Sequence, residues 1–102
     1  MTQWYDVGPI DIIGENEVAA VVAGGRPLAI FLVDGVFHAL HDLCTHGQAR
    51  LSDGFVEDGC VECPLHQGTF DIASGEPRCA PATERVPNFP VRVSGGRIEV
   101  AL

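Results

Sequence analysis

Cys44-Thr45-His46, followed after sixteen intervening residues by Cys63-Pro64-Leu65-His66, is the stretch on which the reading of this chain turns. Each half offers one thiolate and one imidazole within a few residues, so each can close on a metal from its own side as a single loop. Two Cys and two His suit either a tetrahedral zinc ion or an iron–sulfur cluster. Gly47 and Pro64 beside these residues mark loops, and Gly68 stands just beyond the second pair. Both halves therefore read as turns carried by a scaffold that lies elsewhere in the chain.

The order of the residues separates the two chemistries. Zinc fingers usually pair Cys with Cys and His with His, whereas interleaved C-x-H and C-x2-H spacing suits a [2Fe–2S] centre with two thiolates on one iron and two imidazoles on the other. Cys60 complicates this, because Cys60-Val61-Glu62-Cys63 is itself a C-x2-C pair that can signal thiol redox chemistry or a rival ligand. On a strand, residues 60 and 63 point to opposite faces, so Cys60 is expected to pack in a core or against a neighbouring strand. Cys79 is expected to be a small packing residue, and His38 and His41 surface or satisfied core histidines.

Outward from this centre the pattern is all-β. Glu17–Ala23 and Leu28–Asp34 are short apolar runs separated by Gly24-Gly25-Arg26-Pro27, and Asp34-Gly35 is a hairpin turn into Val36–Leu40. Phe55–Glu57 and Cys60–Glu62 flank Asp58-Gly59, while Val91–Ser94 and Arg97–Ala101 flank Gly95-Gly96. No stretch keeps a helical apolar period over three turns, and Pro64, Pro77, Pro81, Pro87 and Pro90 oppose a long helix after residue 63. Residues 41–82 hold all four Cys and three of the four His. The expected organisation is one domain, 1–102, with 41–82 as a chemically specialised insert.

The two loops resemble a known family. Cys44-Thr45-His46-Gly47-Gln48-Ala49-Arg50-Leu51-Ser52-Asp53-Gly54 resembles the first cluster loop of Rieske-type ferredoxins, and Cys63-Pro64-Leu65-His66-Gln67-Gly68-Thr69-Phe70-Asp71 the second. Cys79-Ala80-Pro81-Ala82 is similar to the proline loop that packs over the cluster there. The resemblance is strongest to ferredoxin components of bacterial aromatic-ring-hydroxylating dioxygenases, the naphthalene-dioxygenase-like systems in particular. It implies a Rieske fold: an antiparallel β-sandwich base with an inserted cluster-binding subdomain. It implies a [2Fe–2S] cofactor with Cys44 and Cys63 on the inner iron and His46 and His66 on the outer one, the exposed imidazole edges giving the electron its exit. Respiratory Rieske proteins add a disulfide between the loops; Ala49 and Leu65 stand at the matching positions here and cannot form it. Those proteins also place Ser and Tyr hydroxyls near the cluster, where this chain has Gly68 and Phe70. Fewer donors to the sulfur ligands leave the reduced state less stabilised, which implies a potential toward the low end of the Rieske range of about −150 to +300 mV.

The implied function is that of a one-electron carrier, not an enzyme. Its implied partners are a flavin-containing, NAD(P)H-dependent ferredoxin reductase and a terminal oxygenase. The length of 102 residues allows one domain and leaves no room for a catalytic oxygenase domain. Fourteen acids against six Arg give a net charge of −8, which opposes binding to nucleic acid and to anionic membranes. Seven of the acids fall in residues 40–80 (Asp42, Asp53, Glu57, Asp58, Glu62, Asp71, Glu76), a candidate docking surface, though acidity also serves solubility. No apolar run reaches membrane-spanning length and the first residues carry no secretory pattern, so a cytoplasmic location is expected, and transient exchange with two partners suggests a monomer. The alternatives are a Rieske-like small subunit of a nitrite reductase and a zinc-bound structural module. Cys and His alone do not reveal the aromatic substrate, which belongs to the oxygenase.

Overall fold

The computed structural model describes residues 3–43, 49–64, 68–79 and 84–102. Eleven strands run through them: β1 Trp4–Pro9, β2 Val18–Ala23, β3 Arg26–Val33, β4 Val36–His41, β5 Phe55–Glu57, β6 Cys60–Glu62, β7 Thr69–Asp71, β8 Pro77–Cys79, β9 Asn88–Phe89, β10 Val91–Ser94 and β11 Arg97–Ala101. They form three antiparallel sheets, ordered β1-β11-β10, β2-β3-β4-β9 and β5-β6-β7-β8. Short 3-10 turns at Ile10–Ile12 and Leu51–Asp53 are the only helical pieces among the described residues.

Turn chemistry sets the hairpins. Gly24-Gly25, Asp34-Gly35, Asp58-Gly59 and Gly95-Gly96 all hold both central residues at positive φ, between +52° and +76°. That backbone matches the twist of the flanking strands and suits Gly and Asp. Three of these four hairpins fall where the sequence places them. The first differs: Arg26 and Pro27 belong to β3, paired with Ala23 and Val22, and only Gly24-Gly25 turn. Pro27 lacks an N–H but stands near the strand start, where that loss is tolerated.

Strand β3 organises the core. Its alternate residues are buried on both sides, Leu28 and Ile30 in one cluster and Ala29 and Phe31 in the other. Leu28 and Ile30 meet Ile98 and Val100 of β11, which closes a β-sandwich between the first two sheets. Ala29 and Phe31 meet Leu51, Val61, Cys63, Phe70 and Ile72, so the third sheet stacks on the opposite face. The middle sheet is thus a shared wall, and each large side chain buried in it contributes roughly 1.5–3 kcal/mol. The observed fold is the all-β arrangement expected from the sequence, with a two-sheet base and a smaller third sheet built from the middle of the chain.

Candidate functional site

Of the four candidate ligands, the described residues include Cys63; Cys44, His46 and His66 lie outside them, as do Gly47 and the Ala80-Pro81-Ala82 segment. The structure does fix the necks from which the two candidate loops leave the scaffold. At the second neck Cys63 directly follows β6, is fully buried, and donates its N–H to the Gly68 carbonyl at 2.7 Å. Cys63 is a free thiol surrounded by Val61, Phe70 and Leu51. At the first neck Leu43 and Arg50 form an antiparallel bridge, and the Leu51 N–H donates to the Asp42 carbonyl at 2.7 Å. Leu51 then drops into the same core as Cys63. One apolar cluster therefore roots both loops, which couples the chain around residues 44–48 to the thiol at 63.

Asp42 is the feature of this neck that sequence reasoning placed wrongly. Expected on an acidic surface, it is only 1% exposed. Its carboxylate accepts the Ser52 N–H at 2.7 Å and the Ser52 hydroxyl at 2.8 Å. The partners are ten residues apart, and no local periodicity links them.

The remaining candidates divide clearly. Cys60 lies in β6 opposite Glu57 and Asp71, on the outward side of the third sheet, while Cys63 is in the core; the two are on opposite faces as expected. Burial pushes the Cys60 thiol pKa up, against a counter-pull from Arg78. Cys79 is exposed, which corrects the expectation that it packs. It pairs with Thr69 of β7 at the end of β8, where the strand runs from half-buried Pro77 to exposed Arg78 and Cys79. His38 is half-buried, and burial lowers its pKa despite the nearby Asp71 carboxylate. His41 departs from the expected satisfied histidine: its Nδ1 is buried with no hydrogen-bond partner among the described residues.

The acidic residues also resolve into groups. Asp71 accepts from Ser74 and pairs with Arg78 at 3.2 Å. Burial would raise its pKa, but those partners outweigh it and the net shift is downward. Glu76 lies 3.8 Å from Arg85. Asp53, Glu57, Asp58 and Glu62 carry no ion pair among the described residues. Three of them, Glu57, Asp58 and Glu62, line a groove of about 620 Å3 together with Phe55, which is 70% exposed. An exposed aromatic ring set among unpaired carboxylates is a surface suited to a protein partner.

Comparison with known proteins agrees with this geometry. The Rieske [2Fe-2S] domain family matches residues 3–90. The chain is 54% identical over 100 residues to the anthranilate 1,2-dioxygenase ferredoxin subunit of Burkholderia cepacia, covering 98% of this chain and 93% of that one. It is 43% identical over 100 residues to the naphthalene 1,2-dioxygenase system ferredoxin component of Pseudomonas aeruginosa, covering 98% and 96%. Its fold superposes with a TM-score of 0.91 and 35% identity on a chain from a complex of reduced oxygenase and oxidized ferredoxin in carbazole 1,9a-dioxygenase, covering 96% of this chain and 92% of that one.

Proposed function

Because the chain belongs to the Rieske [2Fe-2S] family and is a relative of dioxygenase ferredoxin components, we propose that it shuttles single electrons to the terminal oxygenase of an aromatic-ring-hydroxylating system. The electrons come from a flavin-containing NAD(P)H-dependent reductase. The observation that carries this reading is Cys63: a fully buried cysteine at the neck of one loop, in one core with Leu51 at the neck of the other. A buried thiol suits a soft metal centre, because thiolate ligation neutralises the charge that burial would otherwise penalise.

In this reading Cys44 and Cys63 hold the inner iron and His46 and His66 the outer one. When bound, the [2Fe–2S] group supplies a one-electron couple, raised by its two neutral ligands above that of an all-thiolate centre. The protein's own part is to hold and to present. Leu51, Val61 and Phe70 keep water from the Cys63 side, and the Cys63–Gly68 hydrogen bond sets the width of the second loop at its base. His46 and His66 would be the ligands on the partner's side in this reading, as the family resemblance implies. Docking uses the one-sided strip of Glu57, Asp58 and Glu62 with Phe55, so the partner's matching surface is basic with an apolar or aromatic contact. The carrier works as a cytoplasmic monomer.

Substitution tests the ligand set. Cys44→Ala and Cys63→Ala should lose the visible iron–sulfur spectrum and the bound iron, and His46→Ala and His66→Ala should lose or alter both. Cys60→Ala and Cys79→Ala should keep them. A colourless wild-type protein holding one zinc, or a spectrum that depends on Cys60 or Cys79 in place of Cys44, would refute the assignment.

A further inference from the structure

Asp42 is the only buried polar or charged side chain among the described residues, and it lies two positions before Cys44. Burying a carboxylate is costly unless its oxygens are satisfied. Here every polar atom of the residue is engaged. The N–H donates to the Pro27 carbonyl of β3 at 3.0 Å, and the carbonyl accepts from Leu51 at 2.7 Å. Oδ1 accepts the Ser52 N–H at 2.7 Å, and Oδ2 accepts the Ser52 hydroxyl at 2.8 Å. Three of these four bonds cross the neck of the first loop, and the fourth ties the neck to the central sheet.

The bonds act together. The Leu43–Arg50 bridge alone is an isolated pairing one residue wide. With Asp42 clasping Leu51 and Ser52, the ends of the segment 44–48 are held at fixed separation, and Leu51 is held in the core beside Cys63. No disulfide between positions 49 and 65 is possible, since these are Ala and Leu. Some other element must keep the first loop in register with the second. Charge-assisted hydrogen bonds in a dry setting are directional and strong enough for that task.

We infer that the Asp42–Ser52 clasp is a positioning device for the iron site: it fixes the first loop, and with it Cys44 and His46, relative to Cys63. The inference rests on the proposed reading of Cys44 and His46 as ligands. Neither Asp42 nor Ser52 touches the iron in this account; both act through the loop they close.

The experiment compares purified, cluster-loaded wild type with Asp42→Ala, Ser52→Ala, the double variant, Asp42→Asn and Ile98→Val. The last weakens the other core and serves as a purely structural reference. Iron release to an excess chelator and the EPR lines of the reduced protein are recorded well below the unfolding midpoint of each variant. Asp42→Ala and Ser52→Ala should release iron about tenfold faster than Ile98→Val. Their EPR lines should shift or broaden, and the double variant should be no worse than Asp42→Ala. Asp42→Asn keeps an oxygen for the Ser52 N–H and should recover most of the wild-type rate. Should Asp42→Ala fail to fold, Ser52→Ala and Asp42→Asn still decide the matter, because each retains the Ser52 N–H bond. Wild-type EPR lines and iron release no faster than Ile98→Val in Asp42→Ala, or in Ser52→Ala should Asp42→Ala not fold, would overturn the clasp. Failure of the ligand reading looks different: Cys44→Ala would then keep its iron and its colour.

Discussion

At the scale of single residues, His38 shows how burial turns into a pH response. Burial lowers its pKa from the ordinary 6.5, and Asp71 only partly opposes this. The unfolded chain therefore takes up this proton at higher pH than the folded one. The resulting contribution to stability is full above about pH 6.5 and is lost as pH falls through the folded value. Asp71, lowered from 3.8, acts in the same direction at more acid pH. Urea unfolding at pH 7.5 and 5.5 should show a steeper loss for wild type than for His38→Gln. Equal slopes would mean that His38 carries no such penalty. Residues are also where the sequence was least informative. The proposed ligand pairs stand out because Cys and His lie two or three residues apart within each, whereas the Asp42–Ser52 contact spans ten residues and leaves no pattern. Asp42 left its expected place on the acidic surface for the interior, because burial depends on which face the third sheet stacks.

At the scale of elements, legibility followed turn chemistry and strand length. The hairpins around Asp34-Gly35, Asp58-Gly59 and Gly95-Gly96 were readable, since each turn type demands those residues. Strands β7, β8 and β9 were not, as two or three residues cannot display a period. They are held by tertiary contacts, and Gly75 is one of these. It has φ +79°, donates to the Asp71 carbonyl at 2.7 Å and accepts from Val86 at 2.9 Å. A Cβ there would run into the Val86 carbonyl oxygen, whereas a Cβ at Gly59, φ +74°, would meet open space. Gly59→Ala should cost about 1 kcal/mol from its backbone conformation alone. Gly75→Ala should cost about 3 kcal/mol, because the clash adds to the same strain. Denaturant melts of the two variants check this. Similar losses would show that the Gly75–Val86 approach relaxes without cost.

At the scale of the whole molecule, the three-layer arrangement separates stability from exchange. The base sheets bury Leu28, Ile30, Ile98 and Val100 away from the loops, and the third sheet carries the buried thiol on one side and unpaired acids on the other. The all-β fold class was legible from the strand–turn pattern. The one-sidedness of the acidic surface was not, since it depends on Asp42 being buried and Asp71 being paired. If Glu57, Asp58 and Glu62 steer docking, the second-order rate of electron transfer to the oxygenase should fall about tenfold between low and physiological ionic strength. Glu57→Gln/Glu62→Gln should flatten that dependence. A rate indifferent to salt would assign the acids to solubility alone.

The central proposal, that two thiolates and two imidazoles hold a cluster tuned for carriage between a reductase and an oxygenase, is tested most directly by a redox titration of the visible spectrum of the purified protein. The account predicts a reversible one-electron transition at a negative midpoint, near the low end of the Rieske range at about −150 mV. A midpoint near −400 mV, as for all-thiolate [2Fe–2S] centres, would contradict the two-imidazole assignment, and a clearly positive one would contradict the tuning ascribed to Gly68 and Phe70.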